Sequence, residues 1–133
     1  MKKSKITIPS YEEACKITNR NPEDMPIVSH LSEGEQKFHL ANHKLPIIIE
    51  ATNKLIDANW KANFYGNQKN WYPWTYQTED KEQPSGVGLS LRGVGYARTV
   101  TDCGARFAYC SEEAAEAGYY ANRQLYIDKE LNN

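Results

Sequence analysis

The segment Trp60 to Tyr76, WKANFYGNQKNWYPWTY, sets seven aromatic side chains among Asn, Gln, Lys, Gly and Pro. A helical pattern precedes it and a glycine-studded strand pattern follows, and no other part of the chain has side chains large enough to join the two. Trp60 continues the helical phase of Ile56, which places it on the core at a helix end, with Gly66-Asn67-Gln68 as the turn beyond. Trp71 to Tyr76 reads as extended chain, with Tyr72, Trp74 and Tyr76 on one side and Trp71, Pro73 and Thr75 on the other. Pro73 lacks a ladder donor, so the strand belongs at a sheet edge or is irregular.

Upstream, Ser10-Tyr11-Glu12-Glu13 has the form of a capping box: the serine oxygen accepts from the Glu13 N–H while the Glu13 carboxylate accepts from the serine N–H. The helix it opens shares one face among Tyr11, Ala14, Cys15 and Thr18 and ends at Asn19-Arg20-Asn21-Pro22. A second box, Ser32-Glu33-Gly34-Glu35, opens the main helix. Phe38, Ala41, Leu45, Ile48, Ile49, Thr52, Leu55 and Ile56 recur at three- and four-residue steps, the stripe of a helix lying on a core. Pro46 falls inside that stripe without changing its phase, which predicts a kink. The opposite face carries Glu35, His39 and His43 at i, i+4 steps, then Glu50, Asn53 and Asp57. Two histidines one turn apart, with a carboxylate a turn earlier, have metal-ligand spacing. A solvated polar face is the simpler reading, and His30 is the one other histidine available.

Downstream, 77–85 is polar and reads as a loop. Val87, Leu89 and Leu91 alternate with Gly88 and Ser90 as a half-buried strand, and Arg92-Gly93-Val94-Gly95 reads as a turn. Tyr96 to Thr101 and Ala105 to Cys110, separated by Asp102-Cys103-Gly104, complete a predicted antiparallel meander. Its glycines bracket a strand and a hairpin instead of opening a helix, so they form no phosphate-binding loop. Ser111-Glu112-Glu113 caps a final helix to about Leu131. Ala114, Ala117, Gly118 and Ala121 suit close approach to the sheet or to a second copy of the chain.

A chain of 133 residues fits one domain. The expectation is a single α+β domain over 1–133, with two or three helices packed on a small antiparallel β meander. Its parts are an extended arm 1–9, a helical half 10–60, an aromatic crossover and loop 61–85, the meander 86–110 and a C-terminal helix 111–131. A net charge of −1 gives no global field toward DNA or an anionic membrane. The basic start, MKKSKITIPS, precedes no apolar run, so neither a signal peptide nor a membrane span is predicted. Three cysteines, Cys15, Cys103 and Cys110, with no CxxC, suit a reducing, cytoplasmic compartment. No GxSxG, HExxH, Walker A or zinc-deaminase pattern is present, so the sequence points away from an enzyme and implies no cofactor.

The aromatic stretch has two readings. Its rings are the bulk of the core, or some of them form a platform on which a base or nucleotide stacks. On the second, Trp71, Trp74 and Tyr76 stack, Arg98 and Arg106 clamp a phosphate bidentately, and Lys69 adds charge. The capped helix, the longer helix ending near a tryptophan, NWYPW, the short meander and the RFAYCSEEAAEAG junction together resemble small proteins encoded by phages and integrated elements of Bacteroidetes bacteria. Trp71 to Trp74 and Arg106 to Ala115 are the most specific parts of that likeness. The resemblance implies an accessory protein and brings no activity or site residue with it. The expected function is a non-catalytic binding or inhibitor module that occupies a host protein or sequesters a small nucleotide-type ligand. Sequence-tolerant binding of single-stranded nucleic acid and a virion or assembly role are the alternatives.

Overall fold

The computed structural model describes residues 6–99 and 104–131. Both capping boxes form. Ser10 opens α1 (Tyr11–Ile17) and Ser32 opens α2 (Glu33–Ile56), each hydroxyl accepting from the N–H of the glutamate three residues on. At the end of α1, Asn19 takes a left-handed φ of 58°. Its N–H and that of Arg20 return to the carbonyls of Lys16 and Cys15, so the helix stops before Pro22 is reached.

From Leu45 to Ile49 the helix is buried on every side, and Ala41, Ala51, Thr52 and Asn53 are enclosed as well. Ile47, Ile48 and Ala51 pack on Ala14 and Cys15 of α1. Leu45 meets Leu89, Tyr119, Tyr126 and Ile127, and Ile49 meets Tyr109, Ala114 and Ala115. One helix therefore enters all three apolar clusters. Burying a Leu or Ile contributes about 1.5–3 kcal/mol, so four such side chains at 45 and 47–49 outweigh the roughly 3 kcal/mol that Pro46 costs a helix interior. The helix accordingly runs through Pro46 unbroken. The expected stripe is too long at both ends, since Phe38, Leu55 and Ile56 are exposed.

Beyond α2, β1 (Asn70–Glu79) pairs antiparallel with β2 (Val87–Ala97). The α+β class holds, but the sheet is a single hairpin. Arg92-Gly93-Val94-Gly95 is no turn. The strand runs through it with a bulge, Trp74 facing Gly93 and Thr75 facing Leu91, so Arg92 is the extra residue. The turn instead occupies the residues between β1 and β2, and β1 extends over the first part of what reads as a loop. The expected third strand is a 3-10 turn at Ala105–Phe107 followed by one bridge, Trp71 to Tyr109. Val100 to Cys103, part of the predicted strand and turn there, lie outside the described residues, as do Met1 to Lys5 of the arm.

The final helix is divided into α3 (Glu112–Ala121) and α4 (Arg123–Leu131). The break falls at Asn122, whose side chain donates to the Gly118 carbonyl. α1 and α4 flank α2, while α3 and α4 cover the hairpin. No helix among the described residues is long and apolar enough to cross a membrane.

Candidate functional site

The connection from α2 to β1 is organised by Asn70, which is fully buried. Its carboxamide nitrogen donates to the carbonyls of Asn63 and Ala97, both at 2.9 Å, and its oxygen accepts from the Asn63 N–H and the Gln68 amide. Gln68 also donates to the Lys61 carbonyl at 2.7 Å. The bonds to the Asn63 N–H and to the Asn63 and Lys61 carbonyls replace ones that the loop backbone would otherwise make to water. The loop is thereby shaped without secondary structure, and Tyr65 stands at its tip, 99% exposed.

The hairpin that follows is fastened at both ends. At one, Trp71 and Tyr109 exchange backbone bonds of 3.0 and 2.8 Å. At the other, Asp80 accepts from Arg123 of α4 at 3.0 Å, and Gln83 and Gln124 exchange amide bonds. Arg123 and Tyr119 also donate to the Leu89 carbonyl, covering the outer edge of β2 there. The guanidinium holds the Asp80 carboxyl below the ordinary Asp value, with the Glu82 N–H as a second cause.

The six residues expected at the site separate into three places. Trp71 is half-buried against the Ile49 and Tyr109 cluster, and its ring meets Tyr96 at 5.2 Å between centroids. Lys69 stands 4.8 Å from the Tyr96 centroid and 5.8 Å from that of Trp71, and the Arg98 guanidinium lies 6.0 Å from Tyr96. Lys69, Trp71 and Arg98 thus come together around Tyr96, a ring outside the expected set. Its cross-strand position opposite Trp71 becomes evident only once the register is known.

Trp74 and Tyr76 project on the alternate side of β1 and are 55% and 51% exposed. The Trp74 ring lies over Gly95, where a side chain on β2 would displace it. Arg92, exposed at the bulge, faces the same step of β1. Tyr72, two residues before Trp74, turns inward, and its hydroxyl donates to the Gly104 carbonyl.

Arg106 is in neither group. It sits on the 3-10 turn and lines a groove of about 470 Å³ with Trp60, Lys54 and Lys61. Trp60 is not on the core as expected: α2 ends at Ile56, and Trp60 follows in irregular chain as a half-buried wall of this groove. Asn53, read as solvated, is buried instead. Its amide donates to the Ala108 carbonyl and accepts from the Cys110 N–H, both at 2.9 Å, in the manner of a sheet bond.

The histidine-bearing face is divided as well. His43 Nε2 lies 3.2 Å from the Tyr11 hydroxyl, whose pKa is raised to about 12, chiefly by burial. His39 packs edge-on against Phe38, and Glu35 is held in the Ser32 cap. Among the described residues no three His, Cys, Asp or Glu side chains are grouped to hold a metal. Burial pushes the Cys110 thiol up, which disfavours the thiolate a nucleophile needs.

No family model matches the chain, and neither a curated protein nor a solved structure matches it.

Proposed function

We propose that this protein is a small non-catalytic binding module that works by occupying an acidic surface of a partner protein, with Trp74, Tyr76 and Arg92 as its contact residues. The observation that carries the reading is the half-exposure of Trp74 and Tyr76 on a hairpin anchored at both ends. Trp, Tyr and Arg are the side chains whose truncation most often costs a protein interface 2 kcal/mol or more, by rough survey values. Held on a fixed strand, the two rings lose little freedom when covered. The charge supports an acidic partner: from 58 to 101, Lys61, Lys69, Lys81, Arg92 and Arg98 outnumber Glu79, Asp80 and Glu82, and Asp80 is already paired with Arg123. The likeness to phage and mobile-element proteins suggests a host protein as the partner, in a bacterial cytoplasm.

The test compares immobilised wild-type protein with a Trp74→Ala/Tyr76→Ala variant in an extract of the host cell. A defined protein retained by the wild type, surviving nuclease treatment and lost from a variant of unchanged thermal midpoint, is the expected result. Equal retention by both proteins overturns the reading. A second reading, single-stranded nucleic acid, is favoured by one observation. Rings at i and i+2 of a strand are about 6.5 Å apart, a spacing that successive unstacked bases can meet. It requires Trp fluorescence quenching by an unstructured oligonucleotide that weakens steeply with salt; no quenching removes it.

A further inference from the structure

We propose that the groove between the C-terminal half of α2 and the 3-10 turn at Ala105–Phe107 binds a small anion carrying a flat ring, of the size and chemistry of a nucleoside monophosphate. The site is separate from the Trp74 and Tyr76 face and does not depend on that reading. Its volume of about 470 Å³ lies within the roughly 300–1,000 Å³ usual for small-ligand sites. Three basic side chains line it, Lys54, Lys61 and Arg106, while buried Ile49 and Ala108 give it an apolar floor.

The charges on its walls do not cancel. Glu50 is the one acid lining the groove, and it is already paired with Arg20 at 2.9 Å and stands 4.0 Å from Lys54. Lys61 and Arg106 enter no ion pair among the described residues. An arginine in this position offers a planar fork of donors to a phosphate or carboxylate, and two lysines add mobile point charges. Trp60 supplies the flat surface. It lines both this groove and the neighbouring hollow bounded by Asp57, Phe64 and Gln68, is half-buried, and belongs to none of the apolar clusters, which leaves its ring available for stacking. A ring stacked there and an anion reaching Arg106 satisfy both features with one molecule.

The groove is also preformed. Asn53 bonds α2 to Ala108 and Cys110 across its floor, and Gln68 holds the Lys61 carbonyl. Binding therefore has little backbone to order, which conserves affinity.

The test titrates the full chain with adenosine monophosphate, adenosine and inorganic phosphate, followed by amide chemical shifts. Adenosine monophosphate is expected to shift amides of 49–62 and 105–108 saturably, and to bind about tenfold more tightly than either fragment. Arg106→Ala and Trp60→Ala are each expected to weaken it about tenfold, Trp60→Phe to retain it, and Trp74→Ala to leave it unchanged. Retention by Trp60→Phe separates a lost stacking surface from a lost fold, and an unchanged Trp74→Ala separates this groove from the hairpin face. The proposal is overturned if no groove amide shifts saturably, if adenosine binds as tightly as its monophosphate, or if Arg106→Ala binds like the wild type.

Discussion

Gly118 and Gly93 both lack a side chain, but for different reasons. A Cβ at Gly118 would strike the Tyr109 ring and hydroxyl, whereas one at Gly93 meets nothing within 4 Å. Tyr109 cannot withdraw, because it is fully buried and its hydroxyl bonds that of Tyr126 at 2.7 Å. Gly118→Ala therefore sets an overpacking cost of about 1–3 kcal/mol against a helix-propensity gain of about 1 kcal/mol. We expect a net loss in urea unfolding for Gly118→Ala and no comparable clash at Gly93→Ala; an unchanged midpoint for Gly118→Ala would contradict the close approach of α3. The small-residue pattern of 114–121 was legible as a close approach to the sheet, and α3 does pack on the hairpin, but Tyr109 as the side chain that fills the space at Gly118 was not. Asn53 and Asn70 were not legible at all. Their burial depends on carboxamides that substitute for backbone bonds to segments 55–57 and 27 residues away, and no local pattern encodes such a partner.

Among the elements, both capping boxes and the phase of α2 could be read directly, because they depend on residues three and four apart. The run Leu45 to Ile49 also carried a signal that the stripe concealed. Consecutive apolar residues cannot all lie on one face of a helix, so such a run implies burial all round. The hairpin was misread because Gly93-Val94-Gly95 has turn composition. Its strand conformation is set by β1 alongside, and Trp74 fills the space over Gly95. The opposite end of the hairpin gives a pH prediction. The Asp80 carboxyl is held below its ordinary value of 3.8, first by its bond with Arg123. A depressed folded pKa means that the clasp contributes above the unfolded value and is lost as pH falls through the folded one. Thermal midpoints of wild type and Asp80→Asn should differ at neutral pH and converge below about pH 4. A gap that persists undiminished in acid would show that Arg123 fastens the hairpin without that charge.

At the scale of the whole molecule, α2 serves as a central post, with α1 and α4 beside it and the hairpin held outward by α3, Tyr109 and Arg123. This arrangement encloses Tyr72, Tyr109, Tyr119 and Tyr126 and leaves Tyr65, Trp74, Tyr76, Tyr96 and Tyr120 exposed. The sequence predicted a division of the crossover between core and outside, but could not assign each ring, because assignment depends on what the twisted hairpin meets. Tyr120 is an internal control for the proposed recognition face. It is 54% exposed, much like Tyr76, yet lies on α3. The most direct measurement replaces Tyr76, and separately Tyr120, with a photoreactive phenylalanine derivative and irradiates each protein in its host cell. The account predicts a discrete protein adduct from position 76 and none from position 120. Adducts of equal yield from both positions, or none from position 76, would contradict it.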